Sequence, residues 1–419
     1  MGRMLTAADV EAATKAGQPL QLAPGDRLTP LARDRAKELG VALVDAAAAA
    51  APPAAPTTPA AAPGAPPPRS AAPATPRGSG APLVLPPSGA LYRRNALGPA
   101  AVRTGTRDGR PMVGVVGSGH VGAMTALRLA ESDLFAQVTM VDVVPGLAEG
   151  LALDMWHGAG MYGFSTRVSG SSDLAALAGA EYVVITAGKP RQPGMSRTDL
   201  TAVNAAIMKS IAEAIRVHAA AATLVIVSNP LEEMTHLAAR YTGFPEERVL
   251  GMAGVLDSAR FCSLVGLTGK ATPQQVRALA LGSHGPEMVI PLSQATVAGQ
   301  PVERVLDAAT LAAIVERTRE SGGEVVKLLQ KGSAYFSPAE SAAAMVRAMV
   351  RDDGEVIAAC VRSRGAYGTA DTRVGLPVRL SRRGLKQIVD LPLRPDEAQA
   401  LRDAAGRIAA RITELTAGS

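Results

Sequence analysis

The sequence predicts an α/β protein. A parallel sheet flanked by helices continues into a mixed α+β part, and a small helical segment on a disordered Ala/Pro linker precedes both. Three observations predict this. From Pro111 onward, short apolar runs of strand length alternate with amphipathic stretches of helical period. That alternation implies β-α-β units, whose strands lie parallel in one sheet. The first run ends in a glycine-rich turn that opens a helical stretch, and residues 46–110 carry Pro every few positions. Proline at that density prevents helix despite the alanine and leaves a stiff, extended spacer.

Taken in order, residues 1–45 balance six basic against six acidic residues and read as a small ordered module. A helix is expected over about 6–15, then a Pro/Gly turn, then a helix over roughly 29–39. Within the linker 46–110, Leu83-Val84-Leu85 and Leu91-Tyr92 make a short apolar island beside Arg93 and Arg94. The island either has no role or acts as an arm that docks on a neighbour. The strand-like runs that follow are 112–117, 138–143, 182–186 and 223–228, with helical segments between them. The boundaries drawn are 111–254 for a nucleotide-binding domain and 255–419 for a mixed substrate-binding domain. No internal repeat is present.

Charge and composition exclude several classes of function. The 419 residues carry 43 Lys+Arg and 37 Asp+Glu. The whole excess falls in the linker, where seven arginines face one acid, Asp108. The rest of the chain is neutral and offers no footprint for a polyanion, so no nucleic-acid partner is expected. Two cysteines, Cys262 and Cys360, cannot build a disulfide framework, which fits a reducing cytoplasm. The N-terminus lacks the apolar core of a signal peptide, and no stretch of 18 apolar residues exists. Neither secretion nor a membrane association is expected. Aromatic residues are 3% of the chain, so the core must be built from Ala, Val, Leu and Ile.

The cofactor signal comes first along the chain. The run 112–116 leads into Gly117-Ser118-Gly119-His120-Val121-Gly122, and a helical segment follows to about Ala130. Gly117 makes the tight turn, Gly119 lets a pyrophosphate approach the backbone, and Gly122 permits close helix–strand packing. The phosphates would sit at the positive end of the helix. A lone glycine pattern of this kind is often an ordinary turn, but here strand, glycines and helix occur in order. Asp142 lies 20 residues after Gly122 at the end of the next run, where a carboxylate binds a ribose diol. An acid there repels a 2′-phosphate, so NAD is expected rather than NADP. The dinucleotide-binding domain is thus of Rossmann type. No metal site is expected.

Five histidines are present, and most need no function. His120 lies in the glycine turn, His157 follows the sole Trp, His218 ends a helical segment and His236 falls within one. His284 differs. It follows the apolar run 278–281 inside Gly282-Ser283-His284-Gly285, accessible and backbone-constrained, a suitable place for a general acid/base. A structural role remains open from the pattern alone. Two arginines, Arg191 and Arg197, sit six apart on a Gly/Pro loop after the run 182–186. Both can turn toward one anionic ligand when that loop closes. Asp257 and Arg260 are three apart on an apparent helix and therefore share a face. Such a pair is often a surface ion pair.

Residues 111–419 resemble the lactate/malate dehydrogenases, and within them the malate dehydrogenases of lactate-dehydrogenase-like type. The resemblance rests on GSGHVG at 117–122, ALDMWH at 152–157, ITAGKPRQPGMSR at 185–197 and VSNPLEEMTHLA at 227–238. It continues through GMAGVLDSARF at 251–261, GSHG at 282–285, KGSAYFSPAES at 331–341 and VGLPVRL at 374–380. It covers about three quarters of the chain, in the family's order. It implies a Rossmann domain followed by an α+β catalytic domain that interconverts malate and oxaloacetate with NAD. His284 is then the proton donor and acceptor, held by Asp257, while Arg260 clamps the C1 carboxylate. Arg197 polarises the carbonyl, Asn229 bonds the hydroxyl and the nicotinamide region, and Arg191 reads the distal carboxylate.

Further cofactor contacts implied by the resemblance are His120, Val121, Thr186, Ala187, Gly188, Asn204 and Val227. A homodimer or homotetramer is implied as well. One departure stands out: the family usually follows His-Gly with an acid, where this chain has Pro286-Glu287. Other readings are a lactate or related 2-hydroxy acid dehydrogenase and, more remotely, a non-catalytic Rossmann scaffold. The stretch 20–43, with Leu28-Thr29-Pro30-Leu31-Ala32-Arg33-Asp34, resembles short N-terminal modules on enzymes of bacterial microcompartments. That likeness implies a microcompartment or scaffold partner. A tail without a partner, or one that regulates assembly, is the alternative.

Overall fold

The computed structural model describes residues 3–24, 26–29, 32, 35–36, 39–45, 109–189, 197–285, 287–330 and 332–417, except the side chains of 7, 27, 43, 45 and 197–198. The linker island and most of the expected second N-terminal helix lie outside these residues. Contacts divide the chain into two units, Met1–Leu85 and Pro86–Ser419.

In the first unit, β1 (Met4–Leu5) precedes α1 (Ala7–Lys15), followed by β2 (Leu20–Leu22), β3 (Arg27–Leu28) and β4 (Leu43–Asp45). The helix starts where the sequence predicts, at a capping box in which Thr6 and Asp9 satisfy each other's backbone N–H groups. The strands pair in parallel, β1 with β3 and β2 with β4. Runs of two or three residues are too short to show alternation, so the sequence reading passed over them. Val10, Ala32 and Ala36 form a small core of their own, with Leu20, Leu28 and Val41 packed on it.

The second unit opens with β5 (Met112–Val116), α2 (His120–Glu131), β6 (Gln137–Val141), α3 (Leu147–Tyr162), β7 (Arg167–Ser171) and β8 (Tyr182–Ile185). It continues with α4 (Arg197–His218), β9 (Thr223–Ile226), α5 (Leu231–Thr242), β10 (Val249–Gly251) and α6 (Gly254–Gly266). Six strands lie parallel in the order β10-β9-β8-β5-β6-β7. Val113 stands opposite both Val138 and Tyr182, which fixes the register at the sheet centre. Every residue of β5, β8 and β9 is buried, as a strand covered on both faces requires.

The remainder supplies β11 (Val276–Arg277), β12 (Leu281–Gly282), β13 (Met288–Val289), β14 (Thr296–Val297) and β15 (Gln300–Pro301). Then come α7 (Val302–Val305), α8 (Ala308–Leu329), α9 (Phe336–Arg351), β16 (Val356–Arg362), β17 (Arg373–Ser381), β18 (Gly384–Ile388) and α10 (Pro395–Ala417). These strands are antiparallel, and β16 joins the edge of the parallel sheet at β10, with Cys360 opposite Gly251. The result is one mixed sheet, with a separate small sheet β11-β14-β15.

The predicted strands end one or two residues early. Gly117, Asp142, Thr186 and Val227 each fall just beyond a strand's C-terminal end, where the chain leaves the ladder. Of the apolar run 278–281 only Leu281 pairs in a strand, and β12 ends at Gly282, whose φ of +79° turns the chain toward His284. These corrections move the chemistry-bearing residues off the strands and onto the loops above the sheet.

Candidate active site

The glycine turn lies on the carboxyl side of β5, at the centre of the parallel sheet, where ligands bind in open α/β folds. Gly117 adopts φ +96°, and a Cβ there would come 2.6 Å from the Ala187 backbone N. At Gly122 a Cβ would lie 1.7 Å from the Gly117 carbonyl oxygen, so only glycine lets α2 start this close to β5. A Cβ at Gly119 would meet nothing within 4 Å, which leaves that backbone open to an approaching phosphate. His120 is the first residue of α2, and its ring lies 5.1 Å from that of Tyr335, just before α9.

Asp142 follows β6. One carboxylate oxygen accepts from the Ser118 N–H at 2.6 Å and the other from the Val144 N–H at 3.0 Å. The acid is therefore tied to the glycine turn. Thr186 donates its hydroxyl to the Gly117 carbonyl at 3.0 Å, and Ser228 donates to the Ala187 carbonyl at 2.6 Å. Asn204 is buried on α4. Its amide nitrogen donates to the Asn229 carbonyl at 2.7 Å, and its oxygen accepts from the Lys189 N–H at 2.8 Å. Asn204 thus braces the loops around Gly188 and Asn229 through their backbones. Val121 and Val227 line these turns half-buried, and Asn229 is exposed. The cradle at Gly119 and Gly122 and the anchored acid fit a dinucleotide with a free ribose diol.

A second cluster stands on α6. Asp257 is buried, and Arg260 one turn later places Nη1 3.1 Å from Asp257 Oδ1. The other oxygen, Oδ2, lies 2.8 Å from His284 Nδ1. The pair is not a surface ion pair: Asp257 spends one oxygen on each cation, and its side chain is 2% exposed. His284 retains 22% side-chain exposure, and engagement of Nδ1 leaves Nε2 for a ligand. Burial pulls the imidazole pKa down, but the Asp257 carboxylate, with a smaller push from the buried Glu232, more than offsets it, so His284 titrates above its ordinary value. The arrangement can take up and release a proton at a fixed point.

Glu232, in the first turn of α5, is an acid that the sequence reading missed. It is buried and accepts the backbone N–H of His284 at 2.6 Å. Its only sequence signal is its place three residues after Asn229. Glu287, the acid beyond Pro286, bonds Arg407 at 2.8 Å and Arg411 at 3.2 Å on α10. It therefore faces the C-terminal helix. Pro286 and Arg191 lie outside the described residues, as does the side chain of Arg197, whose backbone opens α4.

Residues 112–251 match the profile described as lactate/malate dehydrogenase, NAD binding domain, and 254–418 match the corresponding alpha/beta C-terminal domain. A malate dehydrogenase of Trichormus variabilis is 41% identical over 303 residues, 72% of this chain and 93% of that protein. One from Thioalkalivibrio sulfidiphilus is 44% identical over 285 residues, 68% and 93%. The solved malate dehydrogenase of Salinibacter ruber superposes with a TM-score of 0.69 at 36% identity, covering 73% of this chain and 97% of that one. A lactate dehydrogenase from Cryptosporidium parvum, complexed with lactic acid and the dinucleotide, gives 0.70 at 30%, covering 74% and 99%. Among the described residues no helix is long and apolar enough to cross a membrane.

Proposed function

The chain belongs to the lactate/malate dehydrogenase family, and from that premise we propose that it is an NAD-dependent malate dehydrogenase interconverting (S)-malate and oxaloacetate. The observation that carries the catalytic reading is the run of contacts from Arg260 through Asp257 to His284, at 3.1 and 2.8 Å. NAD, when bound, accepts the hydride from malate or returns it to oxaloacetate. Gly117, Gly119, His120, Val121 and Gly122 hold its phosphates, Asp142 its ribose, and Thr186, Ala187, Gly188, Asn204, Val227 and Asn229 the remainder of its cleft. His284 gives up a proton at Nε2 when oxaloacetate is reduced and takes one when malate is oxidised. Asp257 keeps the proton on Nδ1 and stabilises the imidazolium. Arg260 binds the C1 carboxylate in a fork, and Arg197 stabilises charge on the carbonyl oxygen.

Substrate choice rests on Arg191. A second carboxylate requires a cation, and this arginine precedes Arg197, the first residue of α4, by six positions. The relatives named malate dehydrogenase support the same choice. Arg191→Gln tests it: removing one partner of a desolvated ion pair costs about 2–5 kcal/mol, so kcat/KM for oxaloacetate falls by about 30-fold or more. The expected variant gains on pyruvate relative to oxaloacetate, and an unchanged preference would assign the distal group to another residue.

In this reading residues 111–254 bind the cofactor, 255–419 the substrate, and 1–45 form an attached module with its own small core. Copies of the chain associate. Leu153, Trp156 and Met161 of α3 are 53%, 45% and 88% exposed, an apolar surface suited to a second copy. The module attaches the enzyme to a scaffold or microcompartment in the cytoplasm.

A further inference from the structure

Glu232 has no role in the chemistry above, yet it is a buried carboxylate in direct contact with the acid/base residue. Its Oε1 accepts the His284 backbone N–H at 2.6 Å across 52 residues of sequence, joining α5 to the loop after β12. Because α5 starts directly after Asn229-Pro230, this one bond ties the histidine loop to the turn that carries Asn229. Burying a carboxylate is costly unless it has partners, and this one is 2% exposed. We infer that Glu232 is a positioning residue: it fixes the His284 loop through the backbone, and its charge supports the imidazolium that Asp257 holds through Nδ1. The inference rests on the assignment of His284 as the acid/base.

Among the described residues the charged and titratable groups around this contact are few. Asp257 and Arg260 face His284 from α6. Glu233, next to Glu232 on α5, bonds Arg411 of α10 at 2.9 Å, and Arg411 also holds Glu287. Cys360 of β16 is fully buried nearby, and burial keeps it a thiol. Burial raises the Glu232 pKa, and the donated His284 N–H opposes that rise. Among these groups Glu232 is the one whose acceptor bond reaches the histidine backbone.

Two substitutions in the full chain separate the two parts of the role. Glu232→Gln keeps an acceptor for the His284 N–H and removes the charge. Glu232→Ala removes both. Loss of a stabilising negative charge lowers the His284 pKa, so the protonated form is lost at lower pH. For Glu232→Gln the midpoint of kcat/KM against pH should move down by about 0.3 unit or more, a twofold change in proton affinity. The same shift should appear for oxaloacetate reduction and for malate oxidation. For Glu232→Ala, kcat should fall about tenfold or more, and Glu232→Gln should restore most of that loss. Titration of the His284 ring protons by NMR reads the same shift without turnover.

Wild-type midpoints in Glu232→Gln by both kinetics and NMR would overturn the electrostatic part. Wild-type kcat in Glu232→Ala would overturn the positioning part. If Glu232→Ala does not fold, the midpoint in Glu232→Gln still decides the electrostatic part. A wild-type chain inactive toward oxaloacetate would defeat the functional reading instead, and the NMR titration would still test Glu232.

Discussion

Replacing Asp257 with asparagine probes the proton chemistry at its most constrained point. Asp257 Oδ2 lies 2.8 Å from His284 Nδ1, and Oδ1 lies 3.1 Å from Arg260. A hydrogen bond between charged partners contributes about 1.5–3 kcal/mol. At about 1.36 kcal/mol per unit, losing the carboxylate lowers the His284 pKa by about one to two units. Burial already presses that pKa down, and the Glu232 carboxylate is then left to oppose it. The sign follows from which form works. Reduction of oxaloacetate needs the imidazolium, so activity is lost as pH rises through the pKa. Oxidation of malate needs the neutral ring, so activity appears over the same interval. In Asp257→Asn both profiles should therefore keep one shared midpoint, displaced one to two units toward acid. Measured against its own acid plateau, the variant should lose about 10- to 100-fold more kcat/KM for oxaloacetate on the alkaline side. Steady-state kinetics in both directions across the pH range give the midpoint directly. An unmoved midpoint would refute the argument that this carboxylate holds the imidazolium.

Two further outcomes are expected. Gly122→Ala would put a methyl group 1.7 Å from the Gly117 carbonyl oxygen, a backbone atom that cannot give way. Overpacking of that kind costs about 1–3 kcal/mol, so NADH affinity measured by fluorescence titration should fall about tenfold, and wild-type affinity would remove Gly122 from the cradle. Deleting residues 1–108 should leave kcat and KM within about threefold, since the loop residues described around both clusters all lie beyond it. What should change is location: the first 45 residues fused to a fluorescent protein should collect at a microcompartment or scaffold in a host that makes one, and diffuse fluorescence would sink the attachment reading.

The sequence carried much of the site because its local grammar is strong. A strand, three spaced glycines and an acid 20 residues on announce a dinucleotide loop, and Asp142 proves to be bonded to Ser118 within that loop. The helical spacing of Asp257 and Arg260 likewise survives folding as a 3.1 Å contact. Strand ends were less legible, because β-favouring residues continue into Thr186 and Val227, whose N–H groups still donate to the neighbouring strand beyond the last paired residue. The strands β11 and β13 to β15 were invisible for a different reason, and β12 showed only through the run that ends at Leu281. Each is two residues long and exists only through its pairing, as when Val276 meets Val297. Glu232 escaped for the most physical reason of all. An acid at the start of a helix reads as a favourable partner for the helix dipole, and only the fold reveals that it accepts a hydrogen bond from His284.

On this reading the chain is a dehydrogenase for a dicarboxylic 2-hydroxy acid and its keto form. The most direct test is steady-state NADH oxidation by the wild-type protein with oxaloacetate and, separately, with pyruvate. A cation at position 191 facing a second carboxylate predicts kcat/KM for oxaloacetate at least about 10²-fold above that for pyruvate. A preference for pyruvate, or no NADH oxidation with either acid, would contradict the account.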